Sequence, residues 1–137
     1  ACNITDGQYT YLRYPEDLNA SGIKEYTLMP TRNNRLFRLD ELRDATLAPP
    51  FNFTKGVPVL EVQPLTTEDG SAAVMDGKFT FHDAQTRLFD TKSDPGQTTP
   101  LEDAETEARL LCALGHQLKA HDAPSAIYKR LGVQPPD

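Results

Sequence analysis

Residues 87–118, RLFDTKSDPGQTTPLEDAETEARLLCALGHQL, decide the fold, because they pass from strand through turn into helix. Arg87-Leu88-Phe89-Asp90 reads as a short strand. In Ser93-Asp94-Pro95-Gly96 the proline suits the first central position of a turn and the glycine the left-handed second. Thr99-Pro100-Leu101-Glu102 then combines three helix-start signals: Thr99 as N-cap, Pro100 at the first helical position, and Glu102 completing a capping box. Glu102, Asp103, Glu105 and Glu107 bring negative charge to the positive end of the helix dipole. Ala104, Ala108, Leu111, Leu114 and Leu118 recur every three or four residues and predict the buried stripe. Gly115 interrupts that stripe at a cost of about 1 kcal/mol relative to alanine, which predicts a conformational or close-packing role. Asp122-Ala123-Pro124 ends the helix, and Ser125 to Leu131 predicts a second, shorter one before Gly132.

Upstream of this stretch the chain reads as β. Tyr9-Thr10-Tyr11-Leu12-Arg13-Tyr14 is dense in strand formers, follows the turn dipeptide Asp6-Gly7, and is stopped by Pro15. Glu25-Tyr26-Thr27-Leu28-Met29 predicts a second strand ended by Pro30. Val57 to Val62 predicts a third, with Pro58 indicating an edge position or strand entry. Lys78-Phe79-Thr80-Phe81-His82 alternates, with both phenylalanines on one face, and Arg87 to Asp90 is its expected antiparallel partner. Between these, Leu36, Leu39 and Leu42 argue for a helical turn or two, closed by Pro49-Pro50. The expectation is a single α+β domain over residues 1–137: a small antiparallel sheet of about four strands covered by a C-terminal helix.

Composition bounds the function. Hydrophobic residues make up 38% and charged residues 25% of 137, which excludes collagen, coiled coil and wholesale disorder. No apolar run approaches the roughly 18 residues of a membrane span. The formal net charge is −6. The densest basic segment, Arg32 to Arg43, is diluted by Asp40 and Glu41, so nucleic acid and anionic membranes are not expected as partners. Cys2 and Cys112 are compatible with one long-range disulfide or with two thiols. The chain opens Ala1-Cys2-Asn3 without a charged-then-apolar leader, as a mature secreted chain and an internal fragment both would. Sequons stand at Asn3, Asn19 and Asn52.

The residues assemble no catalytic set. There is no G-x-S-x-G elbow, P-loop, G-x-G-x-x-G or C-x-x-C. His82, His116 and His121 lack zinc-ligand spacing. Asp69, Asp76 and Asp94 sit in turn dipeptides, which accounts for all three. The polar segment Pro30-Thr31-Arg32-Asn33-Asn34-Arg35 is different in kind. A loop with two guanidiniums and two amides suits a carboxylate, phosphate or sulfate, although plain solvation is the first reading. Lys55, between Thr54 and Gly56, carries the same two readings.

Asn3-Ile4-Thr5-Asp6-Gly7-Gln8-Tyr9-Thr10-Tyr11-Leu12-Arg13-Tyr14-Pro15 resembles the D-G-x-Y-x-Y-x-R opening of the C-terminal part of sulfatases. Leu88-Phe89-Asp90-Thr91-Lys92-Ser93-Asp94-Pro95-Gly96-Gln97 is similar to the L-[FY]-[DN]-L-x-x-D-P-x-E stretch near the end of many sulfatases. Glu25 to Thr31, Pro50 to Gly56 and Asp122 to Gly132 resemble segments of one sulfatase subgroup. The resemblance implies the smaller C-terminal subdomain of an alkaline-phosphatase-like hydrolase, an antiparallel sheet with a helix that packs on a large α/β catalytic domain or chain.

The formylglycine nucleophile of a C-x-P-x-R motif and the calcium ligands belong to that absent domain. Neither Cys2-Asn3-Ile4 nor Cys112-Ala113-Leu114 fits the motif, so no catalytic residue, metal ligand or cofactor is assigned to this chain. Thr31, Arg32 and Lys55 are the implied substrate contacts, for a sulfated small molecule or glycan in the intact enzyme. An exposed apolar face, open to self-association, is expected where the catalytic domain would sit. The alternative is a free-standing, non-catalytic binding module of the same fold.

Overall fold

The computed structural model describes residues 1–18, 24–29, 31, 36–63 and 84–136. It divides into two compact units: residues 1–18 with 80–137, and residues 19–79. The second unit is therefore inserted, in sequence, between two strands of the first. Among the described residues no helix is long and apolar enough to cross a membrane.

The first unit holds the antiparallel strands β1 (Cys2–Thr5), β2 (Tyr9–Arg13) and β6 (Arg87–Asp90), in the order β1-β2-β6. β1 and β2 form a hairpin with Ile4 opposite Tyr11, and β2 pairs with β6 so that Tyr11 faces Leu88. Asp6 makes the hairpin. Its Oδ1 accepts the amides of Gln8 at 2.9 Å and Tyr9 at 2.8 Å, and Gly7 supplies the left-handed step at φ 92°. β1 was not read from the sequence, because Cys2-Asn3-Ile4-Thr5 is too short and mixed to carry a period.

α2 (Ala104–Ala120) packs on β1 and β2, and α3 (Ser125–Leu131) follows. Tyr11, Leu88 and Leu110 form one buried cluster; Leu114, Tyr128, Leu131 and Val133 form another. Ile4 and Leu111 pack against both.

The expected helix start is corrected. The N-cap is Asp103, whose carboxylate accepts the Thr106 amide at 3.1 Å and hydroxyl at 2.7 Å. Thr99 does not cap: its amide donates to Asp94 Oδ2 at 2.8 Å. Leu101 bridges to Leu88 through its amide, so the Thr99-Pro100 segment is spent extending the sheet. Starting later, the helix leaves Ala104 and Ala108 exposed and buries Leu110, Leu114 and Gly115. The Asp94 turn also differs. Gly96 is not left-handed; Gln97 is, at φ 51°.

Gly115 is a close-packing glycine. A Cβ there would lie 3.1 Å from the Gln134 carbonyl oxygen and 3.3 Å from Val133 Cγ1, so the C-terminal segment crosses the helix where a side chain is missing. α3 ends at Gly132, as expected from the sequence, and the glycine takes the left-handed region at φ 62°.

The second unit holds β3 (Glu25–Thr27), α1 (Leu39–Arg43), β4 (Thr46–Ala48) and β5 (Val59–Val62), with a 3-10 turn at Asn52–Thr54. Its antiparallel order is β3-β5-β4. β5 is central, so Pro58 marks strand entry and not an edge. The leucine spacing did indicate a helix, but α1 is only five residues long, and Leu47 belongs to β4. Leu36 and Leu39 are exposed, while Phe37, Glu41, Val59 and Val62 are buried. The α+β class stands. The described strands form two sheets of three, where one sheet of about four was expected; Lys78 to His82 lies outside the described residues.

Candidate functional site

A polar and aromatic surface of the second unit grows from β3 and β5. Tyr26 and Glu61 are opposite each other across this pair. Lys24 Nζ forms an ion pair with Glu61, whose side chain is 16% exposed. The Lys24 ammonium is the largest influence holding Glu61 below the ordinary carboxylate range; burial opposes it, and hydrogen bonds from Tyr26 and Thr46 reinforce it. The Tyr26 hydroxyl is pushed up, first by burial and then by the Glu61 charge. Every member of this cluster has a partner, so it is a brace that fixes the Tyr26 ring.

That ring carries an aromatic ladder. Phe51 meets Tyr26 edge-on, with centroids 5.3 Å apart and planes at 82°. Phe53 stacks on Phe51 at 5.3 Å and 5°. Such arrangements suit the ring quadrupoles. The ladder leads into a tight turn. The Thr54 amide donates to the Phe51 carbonyl at 2.9 Å, and the Val57 amide donates to the Thr54 carbonyl at 3.0 Å. The buried Thr54 hydroxyl lies 2.9 Å from the carbonyl oxygens of both Phe51 and Val57. Lys55 at φ 53° and Gly56 at φ 81° complete the reversal.

Of the expected substrate contacts, Lys55 is therefore an exposed cation at the tip of a braced turn. Thr31 is half-buried and forms an antiparallel bridge with Leu36. Arg32, with Asn33, Asn34 and Arg35, lies outside the described residues. Sequence reading missed the ladder. Its available signal was Phe51-Asn52-Phe53, two aromatics two residues apart beside Thr54-Lys55-Gly56.

In the first unit, the segments Asp6 to Arg13 and Leu88 to Gln97 take structural roles. Arg13, last residue of the D-G-x-Y-x-Y-x-R pattern, donates from Nε to the Leu131 carbonyl at 2.6 Å. Gln8 ties the pattern to the D-T-K-S-D segment: the Thr91 amide and hydroxyl each donate to its carbonyl at 2.8 Å, and its side chain donates to Asp90 at 3.3 Å. Burial works against the Asp90 anion, but the Lys92 amide, Gln8 and Ser93 hold its carboxyl below the usual range. Asp94 is lowered likewise, first by the Thr99 amide.

A cleft of about 570 Å³ between β1, β2 and α2 is lined by Cys2, Tyr14, Leu118 and His121 among others. Cys2 and Cys112 are both free thiols. His116 and His121 are exposed, and His82 lies outside the described residues. Among the described residues, no group of three or more His, Cys, Asp or Glu is arranged to hold a metal.

Comparison with protein-family models, with curated proteins and with solved structures finds no match for this chain.

Proposed function

We propose that residues 1–137 form the C-terminal subdomain of a sulfatase-like hydrolase. In this reading the chain supplies packing and substrate selection to an enzyme that cleaves sulfuric esters. The nucleophile and calcium ligands lie in a catalytic domain or chain outside these residues, and no bond-breaking step is assigned here. Thr31, Arg32 and Lys55 are the residues that would meet the sulfated substrate.

The observation that carries the reading is the distribution of exposed apolar side chains. Among the described residues eight large hydrophobics are exposed. Leu28, Met29, Leu36, Leu39, Leu47, Phe53 and Val57 belong to the 19–79 unit, and only Leu101 lies in the other. Single exposed hydrophobics are ordinary, but seven in one small unit favour a surface that is covered in the working protein. The hydrogen bonds joining Gln8 to Thr91 and Asp90 add support, since they unite two of the segments that carry the resemblance.

The test is to recover the native protein with an antibody against this chain, then determine its mass, its peptide sequence and its activity on 4-nitrocatechol sulfate. The expected result is a larger polypeptide, or a tight two-chain complex, that contains C-x-P-x-R or S-x-P-x-R and releases sulfate. A monomer of this chain's own mass, unfolding cooperatively and inert toward sulfate esters, would overturn the proposal in favour of a free-standing module.

A further inference from the structure

The outer edge of β1 can be assigned residue by residue. In an antiparallel pair, alternate residues exchange backbone bonds with their neighbour, and those between them point away. The Asp6 amide donates to the Tyr9 carbonyl at 3.2 Å, which closes the hairpin and sets the phase. With that phase and the observed register, Cys2 and Ile4 bond to Arg13 and Tyr11, so the backbone groups of Asn3 and Thr5 face outward. The next strand over agrees: Gln8, one residue out of phase with Tyr9, accepts the Thr91 amide from the β6 side at 2.8 Å. Among the described residues no strand pairs with the outer edge of β1.

That edge is also the least defended of those described. Folded sheets discourage further pairing with charge, proline or cover at their edges. The outer side of β6 is taken by the Leu101 bridge, β3 begins at Glu25 beside Lys24, and β4 runs into Pro49-Pro50. Cys2-Asn3-Ile4-Thr5 carries no charge, no proline and no such bridge. Beside it opens the cleft of about 570 Å³, whose walls include Cys2 and Asn3 of β1 and Leu114 and Leu118 of α2. Cys2 and Ile4 pack against the cluster that holds Leu114. Residues of an added strand that stand opposite Cys2 and Ile4 would therefore send their side chains toward α2 as well.

We propose that β1 is a docking edge, completed by an extended, uncharged segment of the polypeptide that carries the catalytic domain. The segment pairs antiparallel through Asn3 and Thr5, and its apolar side chain opposite Cys2 fills the cleft. A second copy of this chain fits less well, because pairing β1 with β1 about Ile4 sets the charged Asp6 opposite Cys2. The source of the strand rests on the proposed function; the open edge and the cleft beside it do not.

The experiment is amide hydrogen exchange at single-residue resolution, on the 137-residue chain and on the native protein recovered by antibody. In the chain alone, Asn3 and Thr5 are expected to exchange at least about tenfold faster than Cys2 and Ile4. In the native protein all four should be protected alike. The probe for the edge itself is a capped Thr-Leu-Thr-Val-Thr peptide, which should slow Asn3 and Thr5 in the chain. Aspartate in place of its leucine and valine should weaken it about tenfold or more. Asn3→Pro removes an outward donor without touching the β1–β2 bonds, so it should abolish peptide protection at Thr5 while the α2 dichroism is retained. Equal exchange of all four amides in the chain alone at every concentration would overturn the open edge. Protection that grows with the concentration of the chain assigns the edge to a second copy and overturns the proposal. The two proposals fail separately. A native sulfatase in which Asn3 and Thr5 stay unprotected rejects only the docking edge. Peptide protection in a chain with no sulfate-releasing parent keeps the edge and rejects the enzyme assignment.

Discussion

Arg13 on β2 closes the C-terminus of α3: its Nε lies 2.6 Å from the carbonyl oxygen of Leu131. The pairing satisfies a terminal carbonyl that no intrahelical amide reaches, and it places a cation at the negative end of the helix dipole. Gly132 lies against the same guanidinium: its φ of 62° strains any other residue, and a Cβ there would fall 2.7 Å from Arg13 Nη2, which would have to shift. Arg13→Ala is expected to lower stability by about 2 kcal/mol, the range for a hydrogen bond from a charged donor. Gly132→Ala should cost at least about 1 kcal/mol, since it adds left-handed strain to the collision. Urea denaturation of both single variants and the double variant checks this. The double should lose less than the sum, because without the guanidinium the added methyl meets no obstacle.

At Gly115 two effects of opposite sign compete. Alanine gains about 1 kcal/mol of helix propensity. Its Cβ, however, meets a backbone carbonyl at 3.1 Å and a buried valine at 3.3 Å, and neither neighbour is the loose end of a side chain. Gly115→Ala is therefore expected to destabilise the full chain. In a chain truncated after Gly132, where both obstacles are gone, the same substitution should stabilise by up to about 1 kcal/mol. A gain in the full-length protein would show that the C-terminal segment does not press on the helix.

Acid sensitivity should concentrate at the β1–β2 hairpin. Amides of Tyr9 and Gln8 and the Arg109 guanidinium hold the Asp6 carboxyl at about 2. Its value in the unfolded chain is about 3.9. The folded state thus binds this proton less readily than the unfolded state. The contribution is complete above the unfolded value and disappears as pH falls through the folded one, between about 4 and 2. Asp94 and Asp103, both lowered mainly by hydrogen bonds from nearby amides and hydroxyls, act in the same direction. Asp6→Asn is expected to reduce stability at pH 7, with the difference from the parent shrinking as pH drops from 4 to 2. A constant difference across that range would rule out the carboxylate as its source.

These particular residues show what the sequence made legible. Leu114 and Leu118 lie on the expected helix face, and α3 stops before Gly132 as expected, since a helix face and a helix end are local properties. Asp103 shows the limit. Thr99-Pro100-Leu101-Glu102 is a good helix start in isolation, but the Leu101–Leu88 bridge and the Asp94 carboxylate claim its backbone first. Both of those competitors act from outside the four residues. The same holds for the candidate site. Lys55 was recognisable as a cation before a glycine, whereas the ladder from Tyr26 to Phe53 depends on a strand pairing that no local period encodes.

The sequence insertion of residues 19–79 between β2 and β6 makes a direct test of modularity. Both buried clusters of the first unit, from Tyr11 to Val133, are drawn from residues 1–18 and 80–137. Replacing residues 19–83 by a Gly/Ser linker of about ten residues, which spans roughly 16–19 Å, should leave that unit folded. Circular dichroism should retain the α2 signal, and thermal unfolding should remain cooperative. Loss of cooperativity would mean that the first unit depends on the second for its core.

Tyr11 and Leu88 face each other on neighbouring strands, although most of the chain's first two-thirds separates them. During synthesis at about 5–20 residues per second, the β1–β2 hairpin is polymerised roughly 4 to 15 seconds before Leu88. Throughout that interval Ile4 and Tyr11 have neither β6 nor α2 to lie against. The hairpin's apolar face is thus completed only once the last third of the chain has been made.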